Sequence, residues 1–136
     1  MKNLLAALMT KTAGSALSTY VGGRIYLDYA PEGVVFPYII FFIVSDVPDN
    51  LFIESIEDVM IQFSLFSTSQ GATEITTMYA NLNSLFDNCT MPITDNTLMW
   101  MKRQNLTTII DEVTTPIGTL GVRHWAVDFS VYMQKN

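Results

Sequence analysis

The only histidine of the chain, His124, lies close in sequence to an aspartate and a serine, the residue types of a nucleophilic triad. Asp128 and Ser130 share its phase in a segment that alternates as a strand. Side chains two or four residues apart on one strand lie about 7–14 Å apart, too far for the direct hydrogen bonds of a triad. We therefore interpret the three residues as the polar face of a strand, and we predict no catalytic residues.

Residues that bind metals or phosphates form no familiar pattern either. One cysteine and one histidine provide no pair at zinc-ligand spacing. An acidic cluster lacks the glycine and the spacing of a calcium loop, and consists of Asp46, Asp49, Glu54, Glu57 and Asp58. Neither a P-loop nor GxGxxG is present. We predict no metal and no cofactor, and we interpret the acidic cluster as a solvated loop.

Two amphipathic helices are predicted to support the strands. Apolar residues at helical spacing begin at Leu4 and continue to Leu17, with Gly14 as a weak point and Gly22-Gly23 as the stop. A second helix is predicted over 72–88, with Thr73 as its N-cap. Its apolar stripe consists of Ile75, Met78, Tyr79, Leu82, Leu85, Phe86 and Cys89.

Strands account for most of the remaining chain. Arg24–Leu27 is a short strand, and Tyr38–Val44 is apolar in both phases, as strands covered on both sides are. We expect the phase that holds Phe42 to pack inside the domain and the phase that holds Phe41 to meet a neighbouring copy. Ser45–Asn50 is predicted to be a loop carrying partner contacts. Further strands are predicted at 59–65, 97–103, 105–113 and 122–134, with a hairpin turn at 115–118.

In the last strand, alternate residues are predicted to face inward, namely Trp125, Val127, Phe129, Val131 and Met133. Helix, strands, helix and strands follow one another with hairpin-length turns. This order favours an α+β fold in which two helices pack on a mainly antiparallel sheet. We find no linker or repeat and predict a single domain over residues 1–136.

Composition limits the classes of partner. The 136 residues are 49% hydrophobic and 15% charged, which excludes a disordered chain. The net charge of −6 argues against nucleic-acid binding, which requires a basic footprint. Apolar runs at Leu4–Met9 and Phe36–Val44 are too short for a signal peptide or a membrane span, which needs about 20 residues. We therefore expect a soluble, cytoplasmic product without a membrane partner, whose charge-poor surface suits assembly.

The segment from Gly23 to Phe41 carries a resemblance. It reads Gly-Arg-Ile-Tyr, then Ala30-Pro31-Glu32-Gly33, then Pro37-Tyr38 at the start of a strand. This order resembles the tail terminator, or tail-completion, proteins of long-tailed bacteriophages. The likeness extends more loosely to the helix near 72–88 and to the pattern His-x-x-x-x-Phe-x-Val in the last strand.

The resemblance implies a structural protein without catalysis or cofactor. Such proteins form a ring, commonly of six copies, on the head-proximal end of the tail tube, where they end polymerisation and meet the head connector. DNA would pass through the ring without specific binding, and the protein would lie in the virion at the head–tail joint after assembly in the host cytoplasm. We predict partner or oligomer contacts at Arg24, Tyr26, Asp28, Tyr29, Phe41, Asp46, Asp49 and Trp100.

Two alternatives remain at this stage. Another neck component, such as a head-closure protein or a minor tail protein, would differ in its partner and not in its chemistry. A small cytoplasmic enzyme or ligand-binding domain would use the acidic loop, although the absence of paired catalytic groups counts against it.

Overall fold

The computed structural model of this chain describes residues 1–50 and 55–136, which contain three helices and five strands. The helices are α1 (Lys2–Thr12), α2 (Ala16–Tyr20) and α3 (Thr73–Phe86). The strands are β1 (Ile25–Leu27), β2 (Tyr38–Asn50), β3 (Ser55–Ser67), β4 (Asn96–Thr115) and β5 (Gly118–Lys135). The predicted α+β class is confirmed.

The sheet has the strand order β1-β2-β3-β5-β4. β1 pairs with β2 in parallel, and the other three pairs are antiparallel. The prediction of a mainly antiparallel sheet is therefore confirmed. The short β1 covers β2 only from Ile39 to Phe41, so the outer edge of β2 is open beyond that point.

The N-terminal helix is split in two, and the prediction of one helix to Leu17 is wrong. α1 ends at Thr12, and Gly14 takes a left-handed backbone conformation with φ 72°. Ser15 then caps α2, because its Oγ accepts a hydrogen bond from the amide of Ser18 at 3.1 Å. A glycine that adopts positive φ without strain and a serine that satisfies a free amide together favour a new helix over a continued one.

Helix α3 follows its predicted stripe. Ile75, Met78, Leu82 and Phe86 are buried, and successive members lie three or four positions apart, as the buried face of an α-helix requires. The predicted cap at Thr73 is wrong, since the cap position falls on Ala72 without a side-chain bond and Thr73 is the first helical residue. Glu74 instead accepts a hydrogen bond from Ser67 Oγ at 2.6 Å and ties the helix start to the end of β3.

The predicted loop Ser45–Asn50 is in fact the second half of β2. After a bulge at Val44, the strand pairs on with β3 as far as Asn50 opposite Ser55. Proline is accepted at position 48 because the strand is an edge there, and an edge leaves every second amide without a ladder partner. Glu54 of the predicted acidic cluster lies outside the described residues.

The predicted strands at 97–103 and 105–113 form one strand, β4. Register shifts leave Met99 and Gln104 without partners, so two bulges interrupt the ladder without ending it. The predicted hairpin turn is confirmed between Thr115 and Gly118. β3 ends opposite Arg123, and the paired residues 111–122 continue past it as a two-stranded ribbon, here called the arm.

All three helices pack on one face of the sheet. Their buried residues join one strand phase in a single core, which includes Phe41, Phe63, Phe86 and Phe129. Ring centroids of Phe63 lie 5.6, 5.0 and 5.6 Å from those of Phe41, Phe86 and Phe129. The inward phase predicted for the last strand is confirmed, since Val127, Phe129, Val131 and Met133 are buried and Trp125 packs against them.

Candidate assembly surfaces

Four aromatic rings form a stack across the face of the sheet opposite the helices. Cross-strand pairing places Tyr38 beside Phe66 and Phe66 beside His124. The centroids from Phe36 through Tyr38 and Phe66 to His124 lie 5.1, 4.7 and 4.4 Å apart. The stack ends at Asp111, whose Oδ2 lies 3.2 Å from His124 Nδ1. This aromatic row links three strands to the base of the arm.

A second aromatic cluster lies on the same face at the other end of the sheet. Trp100 stacks on Tyr132 with centroids 5.2 Å apart, and Lys102 Nζ lies 5.4 Å from the Trp100 centroid. Tyr132 Oη donates a hydrogen bond to Asp49 Oδ2 at 3.0 Å. Because this bond and the negative charge of Asp49 favour the protonated phenol, they raise the pKa of Tyr132 above its ordinary value. The cluster therefore binds β2, β4 and β5 together.

Polar side chains separate the two aromatic clusters. Ser130 Oγ donates to Asp58 Oδ1 at 3.0 Å, and Asp128 lies between Gln62 and Asn105 in the ladder. Burial raises the pKa of Asp128, whose Oδ1 has no hydrogen-bond partner among the described residues. The middle of this face is thus a polar strip with one poorly compensated carboxylate.

The resemblance segment is positioned by Arg24. Its Nε donates a hydrogen bond to the carbonyl of Pro37 at 2.9 Å, so it fixes the residue before β2 to the segment that follows α2. Tyr26 is half-buried on β1, whereas Asp28 is exposed at φ 68° and Tyr29 is 79% exposed. Arg24 therefore has a structural role in this segment, and among the contact residues predicted within it Asp28 and Tyr29 are the exposed ones.

The predicted division of β2 into an inner and an outer phase is reversed. Phe41 is fully buried in the core and has no surface left for a partner, whereas Phe42 is only half-buried on the helix-free face. The two phases are equally apolar in sequence, so only their position relative to the helices distinguishes them. The assignment of Phe41 to an interface is corrected accordingly.

The two aspartates predicted to act together lie on opposite faces. Asp46 pairs with Val59, whose side chain is in the core, and Asp49 pairs with Ile56 on the other side. Because cross-strand partners share a face, Asp46 lies on the helix side. Asp49 instead accepts a hydrogen bond from Tyr132, and the ring of Tyr132 stacks on Trp100. The structure brings Asp49 and Trp100 together and leaves Asp46 apart.

The arm is a surface that the sequence interpretation missed. Ile117 at its turn is 99% exposed, Leu120 is 39% exposed, and Ile110 at its base is 72% exposed. An isoleucine between a proline and a glycine of a turn, where polar residues are usual, is the signal that would have found it.

A groove at the start of β4 was also missed. It has a volume of about 360 Å³ and lies between α1 and the segment 91–94. Asn3 Nδ2 donates to the carbonyl of Thr94 at 3.0 Å, and Lys11 Nζ donates to that of Thr90 at 3.2 Å, so the two walls are tied together at both ends. Ala6, Ala7, Met91 and Pro92 make the lining largely apolar.

A metal site and a membrane-spanning helix were also considered for the described part of the chain. No three His, Cys, Asp or Glu side chains gather as a metal site requires within residues 1–50 and 55–136. Among the helices described, none combines the length and the apolarity needed to cross a bilayer.

Aromatic clusters, an arm and a groove on the outside of a small α+β fold are typical of a protein that works by docking. The family described as tail completion protein gp17 matches residues 2–134, and the chain belongs to this family of structural virion proteins. It is therefore a structural protein of the tail of a phage-like virion. The resemblance noted at Gly23–Phe41 is confirmed.

The fold recurs in a solved structure titled "Virion of native gene transfer agent (GTA) particle". A chain of that particle is similar with a TM-score of 0.74 and 13% identity, over 98% of this chain and 96% of that one. At this identity the likeness concerns the fold. A search of curated proteins found no match.

Proposed function

We propose that this protein completes the tail by capping the head-proximal end of the tail tube as a ring of six copies. The ring ends tube polymerisation and presents the surface on which the head connector or head-closure protein docks. The observation that carries the proposal is the match of the tail completion family to residues 2–134, nearly the whole chain. The protein would then belong to the virion at the head–tail joint, after assembly in the host cytoplasm.

The surfaces of the fold support a ring. A copy within a closed ring needs two different contact patches, one for each neighbour. The arm and the groove are two such patches, and the exposed Tyr29 and the Trp100 cluster remain for the tube and the connector.

The charge of the chain supports passage of the genome. Thirteen acidic and seven basic residues give a net charge of −6. A lumen formed by such a chain repels phosphates, so that DNA slides through without adhering.

Deletion of the gene tests the proposal by electron microscopy of the resulting lysate. We expect tails of irregular, excessive length without heads, and a return to uniform length when the purified protein is added. Headless tails of normal length would instead assign the protein to head closure, and would contradict tube termination.

A further inference from the structure

β4 leaves the outer side of its backbone open beyond its first third. It is the last strand in the sheet order, so no strand within residues 1–50 and 55–136 lies beyond it. Near its start this edge is closed, because the carbonyl of Met101 accepts a hydrogen bond from the amide of Asn88 at 2.8 Å. The amide of Arg103 likewise donates to Asp87 Oδ1 at 3.1 Å. The open part of the edge therefore begins at position 104.

The closed part also shows which backbone groups of β4 point outward. In an antiparallel ladder, successive residues turn their amides and carbonyls alternately to one side and to the other. The amide of Arg103 points outward, and Arg103 lies opposite Phe129 of β5. After the bulge at Gln104, residues of the same β5 phase lie opposite Leu106, Thr108, Ile110 and Glu112. The amides and carbonyls of these four residues therefore point away from β5, where no described strand receives them.

The open part of β4 lacks the usual protection against pairing with another strand. Residues 106–110 read Leu-Thr-Thr-Ile-Ile, and β-branched residues of this kind favour strands. The outer edge of β2, in contrast, has a bulge at Val44 and Pro48. Bulges, prolines and charges prevent one sheet from extending into another, and an edge without them accepts a strand. Of the two open edges, β4 is therefore the one suited to receive a strand.

The charges along the helix side of this edge are complementary to themselves. Arg103 lies at one end of the open part and Glu112 at the other, and both are exposed. They share the helix side, because their partners on β5 belong to the phase of Phe129. Asp111 lies on the opposite face, where it contacts His124, and takes no part. Two such edges in antiparallel orientation place a positive charge beside a negative charge at both ends, which identifies a second copy as the occupant.

The positions of the charges select one register. With Thr108 opposite the same residue of the second copy, the stretches 105–111 pair along their whole length. Arg103 then lies opposite Glu112, because the bulge at Gln104 gives two residues to one rung of the ladder. A shift in one direction runs into the closed part of the edge, and a shift in the other separates the opposite charges.

We propose that two copies of the free protein pair through the open edges of β4, antiparallel and with Thr108 at the twofold axis. Arg103 of each copy pairs with Glu112 of the other, and the ladder between them satisfies the outward amides and carbonyls of both copies. Such an isologous contact closes on itself, so it covers both edges without further growth. The inference goes beyond the proposed function, because a ring requires heterologous contacts on other surfaces.

Cysteine trapping at the twofold axis tests the register. In a Cys89→Ala background, Thr108→Cys places two thiols on paired residues whose Cα atoms lie about 5.5 Å apart, within the range of a disulfide. Thr107→Cys is the matched control, because Thr107 is equally exposed but its two copies are diagonal neighbours about 7–8 Å apart. Under a mild oxidant we expect a linked dimer of the purified chain from Thr108→Cys only. Equal yields from both variants, or no dimer from Thr108→Cys, would overturn the inference.

A charge exchange separates pairing from folding. Arg103→Glu and Glu112→Arg each place like charges at both ends of the ladder, so each variant alone should associate about tenfold more weakly than the parent. A mixture of the two variants has opposite charges at both ends again and should recover the association. Sedimentation measures it, and circular dichroism checks that each variant is folded. A mixture that associates no better than its components would contradict the pairing.

Hydrogen exchange distinguishes a second copy from another partner. The outward amides of Leu106, Thr108 and Ile110 should exchange slowly in the free protein at concentrations where the dimer forms, and faster on dilution. A monomer whose edge becomes protected only on assembled tails would overturn the proposal and assign the edge to another tail protein. Tail length in the deletion lysate is a separate readout, so the failure of this contact leaves tube termination untouched.

Discussion

Phe41 and Phe42 are neighbours of equal size whose environments differ completely. The ring of Phe41 packs 5.6 Å from Phe63 in the core, and Phe42 lies half-buried on the helix-free face. An unpaired charge is costly only where water cannot reach it. The two positions therefore form a matched pair for measuring which face of β2 is internal.

We expect Phe41→Asp to unfold the protein, with a loss above about 4 kcal/mol, because a buried carboxylate has no partner there. Phe42→Asp should leave a folded protein that has lost no more than about 2 kcal/mol. Urea unfolding followed by far-UV circular dichroism measures both. A folded Phe41→Asp variant would contradict the assignment of the inner face.

Asp128 should make the free energy of unfolding depend on pH in a definite direction. Its pKa is raised by burial, so the folded state binds this proton more tightly than the unfolded state does. The stability that it contributes is present in full below the ordinary pKa of 3.8 and is lost as the pH rises through the folded-state value. At pH 7 the ionised carboxylate therefore lowers stability.

Asp128→Asn should accordingly raise the free energy of unfolding at pH 7, and the gain should disappear at pH values below 3.8. Denaturant titrations across this range measure it. The exposed Asp46 provides the control, and Asp46→Asn should change stability by no more than about 0.5 kcal/mol. A gain that is independent of pH would show that burial of the charge is not its cause.

At the scale of elements, the break between α1 and α2 depends on two adjacent residues. Gly14 turns the chain at φ 72°. Ser15 Oγ accepts a hydrogen bond from the amide of Ser18 in the first turn of α2 and donates to the carbonyl of Thr12 at 2.6 Å. The break allows Leu8 and Leu17 both to reach the core, although they lie on different helices.

We expect Ser15→Ala to lower the free energy of unfolding by about 1 kcal/mol, since the capping bond to Ser18 is lost. Thermal unfolding is the measurement. Thr19→Ala in the same helix is the control, because Thr19 is exposed and alanine has the higher helix propensity. Equal destabilisation by both variants would assign the effect to the helix as a whole and not to its cap.

At the scale of the whole molecule, charge and shape act together. The net charge of the chain is −6, while the arm and the groove provide two separate, largely apolar surfaces. Long-range repulsion between like-charged copies is weak at physiological salt, because it is screened over about 8 Å. Docking between copies is therefore compatible with a surface that rejects nucleic acid.

We expect negligible binding of the purified protein to duplex DNA, even at low salt, where electrostatic attraction is strongest. Gel retardation over a range of salt concentrations tests this. Tight retardation that weakens with salt would reveal a basic patch strong enough to overcome the net charge, and would contradict passive passage of the genome.

Features that depend on local periodicity could be predicted from residue types alone. The stripe of α3, the inward phase of β5 and the turn at 115–118 follow from residue types within a few positions of each other, and the structure confirms them. The α+β class follows from their order along the chain.

Features that depend on pairing between residues far apart in sequence became visible only in the folded chain. Both phases of Tyr38–Val44 are apolar, so only the packing of the helices makes Phe41 internal. The extension of β2 through Pro48 requires the register of β3, and no local pattern contains that register. The separation of the arm from the groove likewise follows from the length of one continuous β4. Its bulge at Gln104 resembles a strand end in sequence, because an unpaired residue interrupts the alternation of faces.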